Sequence, residues 1–233
     1  MKKYLFVSLW AFFVLFTFNG CEENIEIVDS DQIPQENIFQ HYTASYNEEN
    51  GECTISADFR VDNLTGKYVK LVSPSSISVN HHEMTRILGE YVSLQEQNKC
   101  PNQVVFKYVN NNKKSFTNKI SIRSIQIAAQ TLLFSKEATT YIPFSGKSLS
   151  ENESIICLLW PVGSSMDNDP IELETSVVNK QIVIYPEYLE EITKGNYQGS
   201  FVRQSIDLQI KGLERGGIAE SSYTTKLKQI TIK

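Results

Sequence analysis

Strict alternation of apolar and polar residues marks the first well-defined segment in the body of the chain. Between Thr54 and Val61 every second residue is apolar, namely Ile55, Ala57, Phe59 and Val61. A period of two predicts a strand with one face in a core and the other face in water. The turn-forming residues 62–66, Asp-Asn-Leu-Thr-Gly, follow directly and predict the end of that strand.

Similar short apolar runs recur along the chain and are separated by Pro, Asn and Gly residues. They cover residues 68–72, 77–79, 91–94, 104–109 and 119–127. Short strands at roughly ten-residue spacing are typical of antiparallel β-sandwiches. The pattern therefore predicts an all-β fold.

The second half of the chain repeats features of the first half at a nearly constant offset. Residues 115–120, Ser-Phe-Thr-Asn-Lys-Ile, return 107 positions later as residues 222–227, Ser-Tyr-Thr-Thr-Lys-Leu. These matches favour a duplicated module, and coincidence among Ser- and Thr-rich strands is the alternative. We expect a first β-sandwich module at residues 41–134 and a second at residues 135–233.

The chain starts with a basic and then apolar segment that ends at a cysteine. Lys2 and Lys3 precede an apolar run from residue 4 to residue 18, which is shorter than the roughly 20 residues that cross a bilayer. The run is therefore interpreted as part of a secretory signal peptide. Asn19-Gly20-Cys21 resembles the lipobox of bacterial lipoproteins, which implies removal of residues 1–20 and acylation of Cys21. The alternative is a plain secretory peptide that leaves Cys21 in the mature protein.

Residues 21–40 are rich in carboxylates and show no sustained periodicity, which predicts a lipidated flexible tether. Glu22 and Glu23 resemble the acidic export tag that sends some Bacteroidota lipoproteins to the cell surface. The resemblance implies a lipid anchor in the outer membrane with the protein on the cell surface. The periplasmic face of that membrane is the alternative.

Several strand segments resemble the immunoglobulin-like modules of Bacteroidota-type cell-envelope lipoproteins. They are Phe59-Arg60-Val61, Ile77-Ser78-Val79-Asn80 and Phe116-Thr117-Asn118-Lys119-Ile120, with Gln181-Ile182-Val183-Ile184-Tyr185 as a more diverged counterpart. The resemblance implies two tandem antiparallel immunoglobulin-like β-sandwich domains behind the signal peptide and the acidic tether. It implies no activity, because a fold does not determine a function.

Charge and motif content narrow the function classes. The chain has 22 Lys and Arg against 27 Asp and Glu, a net charge of −5, whereas nucleic-acid binders usually present a basic face. The sequence has no nucleophile elbow, phosphate-binding loop or zinc-binding helix motif. His81 and His82 are adjacent and would diverge on a strand, so they predict no metal site. We expect no nucleic-acid partner, no cofactor, no metal and no enzymatic activity.

The chain has four cysteines, and three of them remain as thiols that could form a disulfide once Cys21 is acylated. In an oxidising envelope compartment, Cys53 and Cys100 of the first predicted module form a possible disulfide, provided that their Cα atoms lie within about 7 Å. Cys157 lies in an apolar strand, where an inert buried thiol is expected.

Aromatic residues of the second half are the candidates for ligand binding. Exposed Trp and Tyr rings stack on sugars, and the candidates are Trp160, Tyr185, Tyr188 and Tyr197. The alternative role for these rings is to fill the core. We expect a noncatalytic, lipid-anchored surface protein that binds a glycan or an envelope protein. The alternative is a structural or adhesive assembly component that contacts other proteins through exposed strand edges.

Overall fold

The computed structural model describes residues 26–95, 99–166, 168–212 and 216–233. Within these ranges the chain forms β-strands and three short 3₁₀ helices, at Ser30–Gln32, Gln35–Asn37 and Pro186–Leu189. The all-β sandwich prediction is confirmed. None of the helices in this described part is long and apolar enough to span a membrane.

The first half contributes ten strands. They are β1 (Ile27–Asp29), β2 (Ile38–Asn47), β3 (Glu52–Val61), β4 (Tyr68–Lys70), β5 (Ser76–Val79), β6 (His82–Glu83), β7 (Thr85–Ile87), β8 (Glu90–Leu94), β9 (Gln103–Val109) and β10 (Ser115–Ser121).

The second half contributes eleven strands. They are β11 (Ile125–Gln126), β12 (Thr131–Phe134), β13 (Thr140–Pro143), β14 (Ser145–Gly146), β15 (Glu153–Pro161), β16 (Ile171–Glu174), β17 (Ser176–Val178), β18 (Gln181–Ile184), β19 (Gly195–Asp207), β20 (Gly217–Thr224) and β21 (Lys228–Ile232).

In the first half of the chain, called the first module below, one layer formed by β2, β3, β4, β7 and β8 packs against a second layer of β10, β9, β5 and β6. The buried face predicted for β3 is confirmed, because Ile55, Ala57 and Phe59 are buried, whereas Asp58 on the other face is buried as well. Aromatic rings join the layers. Tyr42 stacks on Phe106 with centroids 4.7 Å apart, and the Phe59 and Tyr108 centroids are 5.0 Å apart.

In the second half of the chain, called the second module below, the core lies between the β15–β19 ladder and the small sheet of β13, β18 and β17. The parallel pair β12–β21 extends the larger layer. The strand β12, which the sequence predicts at the end of the first module, therefore pairs within the second. The polar residues 135–139 form the connection between β12 and β13 rather than a linker between modules.

One continuous sheet joins the two halves. β20 leaves the second module as part of the β19–β20 hairpin and pairs in parallel with β2 at eight positions, from Gln40 opposite Gly217 to Asn47 opposite Thr224. The same hairpin also reaches the opposite layer, where Ser221 Oγ donates to Ser121 O at 3.1 Å. The open seam of the first sandwich is therefore closed by a strand from the second half.

The described part of the predicted tether is packed onto the first module. β1 pairs in parallel with β4, and Asn111 Nδ2 donates to the carbonyl oxygen of Ser30 at 2.6 Å. Ser30 and Gln40 are both fully buried. The segment from residue 26 to residue 40, expected to be a flexible tether, is therefore ordered. The sequence gives no sign of this order, because three-residue β1 is too short to show a period. Cys21 and the predicted signal peptide lie outside the described residues.

The structure joins Cys53 and Cys100 in a disulfide, with 5.4 Å between their Cα atoms. The bond links β3 to the loop that precedes β9. Cys157 is a fully buried free thiol in β15, and burial raises the pKa of that thiol above its ordinary value.

Gly217→Ala tests the pairing of β2 with β20. A Cβ at Gly217 would overlap the carbonyl oxygen of Gln40. We expect this variant to lower the free energy of unfolding by about 1–3 kcal/mol, the usual cost of overpacking. Urea unfolding followed by circular dichroism measures the change. Ser222→Ala, on the outward face of the same strand, should change stability by less than about 0.5 kcal/mol. Equal effects of the two substitutions would contradict the close packing.

Candidate ligand-binding surface

The outward face of the shared sheet carries a groove of about 480 Å³ that crosses both modules. The groove is named here the sheet groove. Residues of β2, β20, β19, β15 and β16 line it, and among them Ala44 and Ser221 are themselves buried. The lining residues of the sheet groove are Thr43, Ala44, Ser45, Ile156, Leu158, Pro170, Glu172, Val202, Gln204, Ser205, Ile206, Glu220, Ser221, Ser222 and Thr224.

The lining of the sheet groove combines apolar and uncharged polar groups. Ile156 and Leu158 form an apolar strip on β15, whereas β2 and β20 supply mainly hydroxyl groups. Glu172 and Glu220 add carboxylates, and none of its lining residues is Lys, Arg or His. The groove therefore offers hydrogen-bond donors and acceptors to an uncharged ligand and repels an anion.

A second cavity, of about 500 Å³, lies at the end of the second module that points away from the first. We call it the distal cavity. The β15–β19 register places Pro161 opposite Tyr197 at this end, whereas Glu153 lies opposite Ser205 near the first module. Tyr188 also lines the distal cavity. Tyr197 is 5% exposed, and its hydroxyl donates to a backbone carbonyl, that of Thr193, at 2.7 Å.

The four aromatic candidates do not form one platform. Tyr188 and Tyr197 share the distal cavity, and Tyr185 packs edge-on against Tyr188 with centroids 5.4 Å apart. Trp160 is half-buried, and its Nε1 donates to the carbonyl oxygen of Asn168 at 3.1 Å. Because Trp160 precedes Pro161 on one strand, it faces away from the side on which Tyr197 lies. Ligand binding by these residues stays a prediction.

The sheet groove was missed at the sequence level. Alternating hydroxyl residues on the outer faces of its strands, Thr43 with Ser45 and Ser222 with Thr224, were visible in the sequence. Their proximity depends on the β2–β20 pairing, which joins residues about 180 positions apart. No local pattern predicts such a pairing.

A buried ion pair fixes the base of the second module. Arg203 is 2% exposed, and its Nη2 lies 2.8 Å from Glu153 Oε2. Arg203 also donates to the carbonyl oxygen of Lys147, and Arg123 approaches Glu153 at 3.1 Å. Burial alone would raise the pKa of Glu153, but hydrogen bonds from Arg203 and Ser150 outweigh burial and lower it to about 2. Through Arg203 and Arg123, Glu153 on β15 is linked to β19 and to the segment that connects the two halves of the chain.

A second charged cluster spans the module junction. His41 Nδ1 on β2 lies 2.8 Å from Asp58 Oδ2 on β3, and its Nε2 lies 3.6 Å from Glu220 Oε1 on β20. The hydrogen bond to Asp58 raises the pKa of His41 despite its partial burial. Burial opposes ionisation of Asp58, yet hydrogen bonds from His41 and Arg60 lower the pKa of its carboxyl. The two groups with shifted pKa values, His41 and Asp58, are thus held in ion pairs with each other, with Glu220 and with Arg60.

Within the described residues, no group of three or more His, Cys, Asp and Glu side chains is placed to hold a metal ion. The polar cavity beside the Glu153 cluster is small, at about 140 Å³.

Comparison with known proteins assigns no family. No family model matches the chain, and no curated protein matches it. Among solved structures, the titin domains Z1Z2 in complex with telethonin are 10% identical at a TM-score of 0.22, covering 86% of this chain and 100% of that one. Human mucin-like protocadherin EC1-2 is 8% identical at a TM-score of 0.18, covering 84% and 99%. At these TM-scores, the two likenesses support no conclusion about this protein. The fold class is assigned from the strands of the structure alone.

Glu153→Gln tests the buried ion pair. The depressed pKa means that ionised Glu153 contributes stability in full above its ordinary pKa of 4.5 and loses it as the pH falls toward 2. We expect the variant to lose about 3–5 kcal/mol at pH 7, the usual cost of breaking a buried pair. Its stability should also fall less than that of the native protein between pH 5 and pH 2. Glu151→Gln, at an exposed neighbouring position, is the control for urea unfolding across this range. Parallel pH profiles for Glu153→Gln and the native protein would contradict the assignment.

His41→Gln tests the junction cluster. The raised pKa means that charged His41 contributes stability in full below pH 6.5 and loses it as the pH rises through its folded-state value. We expect the variant to be less stable than the native protein at pH 5.5 and nearly equal to it at pH 9. Urea midpoints across this range measure the difference. His82→Gln, at an exposed strand position, should leave the native profile unchanged. A His41→Gln deficit that stays constant with pH would rule out the charged form as its cause.

Proposed function

We propose that the protein is a noncatalytic binding protein of the bacterial envelope that takes an uncharged glycan chain in the sheet groove. The lipid on Cys21 would hold it in the outer membrane with its modules at the cell surface. The observation that carries the proposal is the composition of the sheet groove, which sets hydroxyl, amide and carboxylate groups around an apolar strip.

The chemistry of a sugar chain fits this lining. Sugar hydroxyls both donate and accept hydrogen bonds, as do the Ser, Thr and Gln side chains of the groove, while Glu172 and Glu220 accept. The apolar strip of Ile156 and Leu158 suits the aliphatic face of a sugar ring. Five neighbouring strands span about 19 Å across the sheet, which is room for an extended ligand rather than for a single sugar.

The noncatalytic part of the proposal is supported by the roles of the perturbed ionisable groups. Glu153 is occupied by Arg203, and His41 is held between Asp58 and Glu220. Perturbed groups of this kind mark either an active site or a structural ion pair. Their contacts across strands and modules favour the structural role.

Assembly through strand edges has less support. The long β2 edge of the first module is already occupied by β20. The terminal strands of the large sheet, β1, β7, β12 and β16, have only three or four residues each, and β16 carries Glu172 and Glu174. Short and charged edges disfavour pairing between molecules.

A glycan array followed by calorimetry tests the groove. Ser222→Trp places a large ring in the sheet groove at a partly exposed strand position and should weaken glycan binding at least about tenfold, or ~1.4 kcal/mol. Thr117→Trp, at an exposed position on β10, should bind as the native protein does. Capture of an envelope protein without any glycan signal would overturn the glycan assignment in favour of a protein ligand.

The anchor is tested separately. Metabolic palmitate labelling should disappear in Cys21→Ala, and globomycin should cause the precursor to accumulate. Labelling that survives the substitution would refute acylation at Cys21.

A further inference from the structure

Four large apolar side chains are exposed at one end of the first module. Their exposed fractions are 81% for Leu88, 47% for Ile87, 44% for Ile27 and 38% for Leu64. Isolated exposed apolar residues are common on protein surfaces, whereas several at one place indicate a contact surface. We call this set the apolar end.

Two segments of the apolar end, β1 and the β7–β8 hairpin, meet at Tyr68. Ile27 is the β-sheet partner of Tyr68 in the β1–β4 pair. The backbone of the β7–β8 hairpin tip lies against the ring of Tyr68, since a Cβ at Gly89 would come within 2.9 Å of it. Leu64 belongs to the turn that leads from β3 into β4. Three separate chain segments therefore bring apolar side chains to the same end.

Leu88 occupies a backbone conformation that does not suit leucine. Leu88 and Gly89 form the two-residue loop between β7 and β8, with φ values of 47° and 102°. Such loops favour Asn-Gly, because bulky L-residues are disfavoured at positive φ. Folding gains little from a leucine that is both disfavoured by its backbone and exposed to water. Strained positions of this kind concentrate at functional sites.

The chain before β1 leaves the module at the same end. The carbonyl oxygen of Glu26 accepts a hydrogen bond from the Tyr68 N–H at 3.1 Å, and its carboxylate lies 2.5 Å from Lys67 Nζ. β1 runs parallel to β4 and so away from the turn that contains Leu64. Cys21 is six positions before Ile27, which limits their separation to about 20 Å. A lipid on Cys21 would thus keep the apolar end close to the membrane surface.

We propose that the apolar end contacts the lipid bilayer, with Leu88 and Ile87 entering the interfacial layer. The proposal rests on the proposed acylation of Cys21. The occupant of this surface is lipid rather than a protein partner, because the anchor brings the bilayer within reach of the same end. The contact adds a second attachment to the acyl chains and fixes the tilt of the first module.

Charge contributes little to this contact. Lys67 is paired with Glu26, and Lys70 lies 4.0 Å from Asp29. Exposed charges are screened by salt, whereas apolar insertion is not. We therefore expect the contact to persist at high salt.

A fluorescent probe at position 88 tests the proposal in the full-length acylated protein. Leu88→Cys carries an NBD group, and the protein is reconstituted in phosphatidylethanolamine–phosphatidylglycerol vesicles. Cys53 and Cys100 are bonded and Cys157 is buried, so the label goes to the new thiol. The NBD emission should shift to shorter wavelength and be quenched by brominated acyl chains. Val162→Cys, 63% exposed in the loop after β15, is the matched control and should show neither change.

A second variant separates the role of Leu88 from that of the label. Leu88→Asn suits the two-residue turn and should keep the unfolding midpoint unchanged or raise it. An NBD group on Ile87→Cys should show the blue shift and the quenching when Leu88 is present. Both signals should be lost when the Leu88→Asn substitution is added. Retention of both signals would show that Leu88 does not enter the bilayer.

Vesicle flotation distinguishes contact of the apolar end with the bilayer from attachment through the lipid on Cys21. Protein that floats with the vesicles while position 88 behaves like position 162 overturns the contact and leaves the anchor intact. Protein that does not float refutes the anchor and the contact together. A blue shift that brominated lipids do not quench indicates a protein neighbour and also overturns the proposal.

Discussion

The pairing of β2 with β20 is the interaction on which the rest of the structure depends. A β-sheet edge leaves a row of N–H and C=O groups without partners, and the first module would expose such a row along β2. β20 satisfies it over eight positions and at the same time covers the seam toward β10. The sheet groove exists only because this pairing aligns five strands, β2, β20, β19, β15 and β16, on one face. The candidate ligand site is therefore a product of the junction.

Charged side chains reinforce the junction at positions where the sheet alone would not hold the modules in place. The His41 cluster connects β3, β2 and β20 across the shared sheet. The Glu153 cluster ties the base of the second module to Arg123, in the connection between the halves. Buried ion pairs are costly to desolvate, so their value lies more in fixing one arrangement of the strands than in net stability. Both clusters consequently favour one arrangement of the strands that they connect.

The sequence predicts the local structure well and the long-range structure poorly. The alternation in β3 predicts both the strand and its buried face, since Ile55, Ala57 and Phe59 recur at every second position and all three are buried. The sequence also proposed Cys53 and Cys100 as a possible disulfide, because both lie in the first predicted module, and it placed Cys157 in an apolar strand. The β2–β20 register did not, because it depends on the meeting of segments separated by most of the chain. Trp160 and Tyr197 were grouped as one surface for the same reason: their relative orientation is decided by the β15–β19 register.

The distance along the chain between β2 and β20 has a consequence for the order of folding. A chain that emerges with its N-terminus first presents β2 long before residues 217–224 become available to pair with it. Contacts between distant segments form slowly, and an unpaired edge is exposed to aggregation during that interval. The first module therefore stays incomplete until residues 217–224 are available. Protection of the β2 edge during this delay would govern the yield of folded molecules more than the stability of the final structure does.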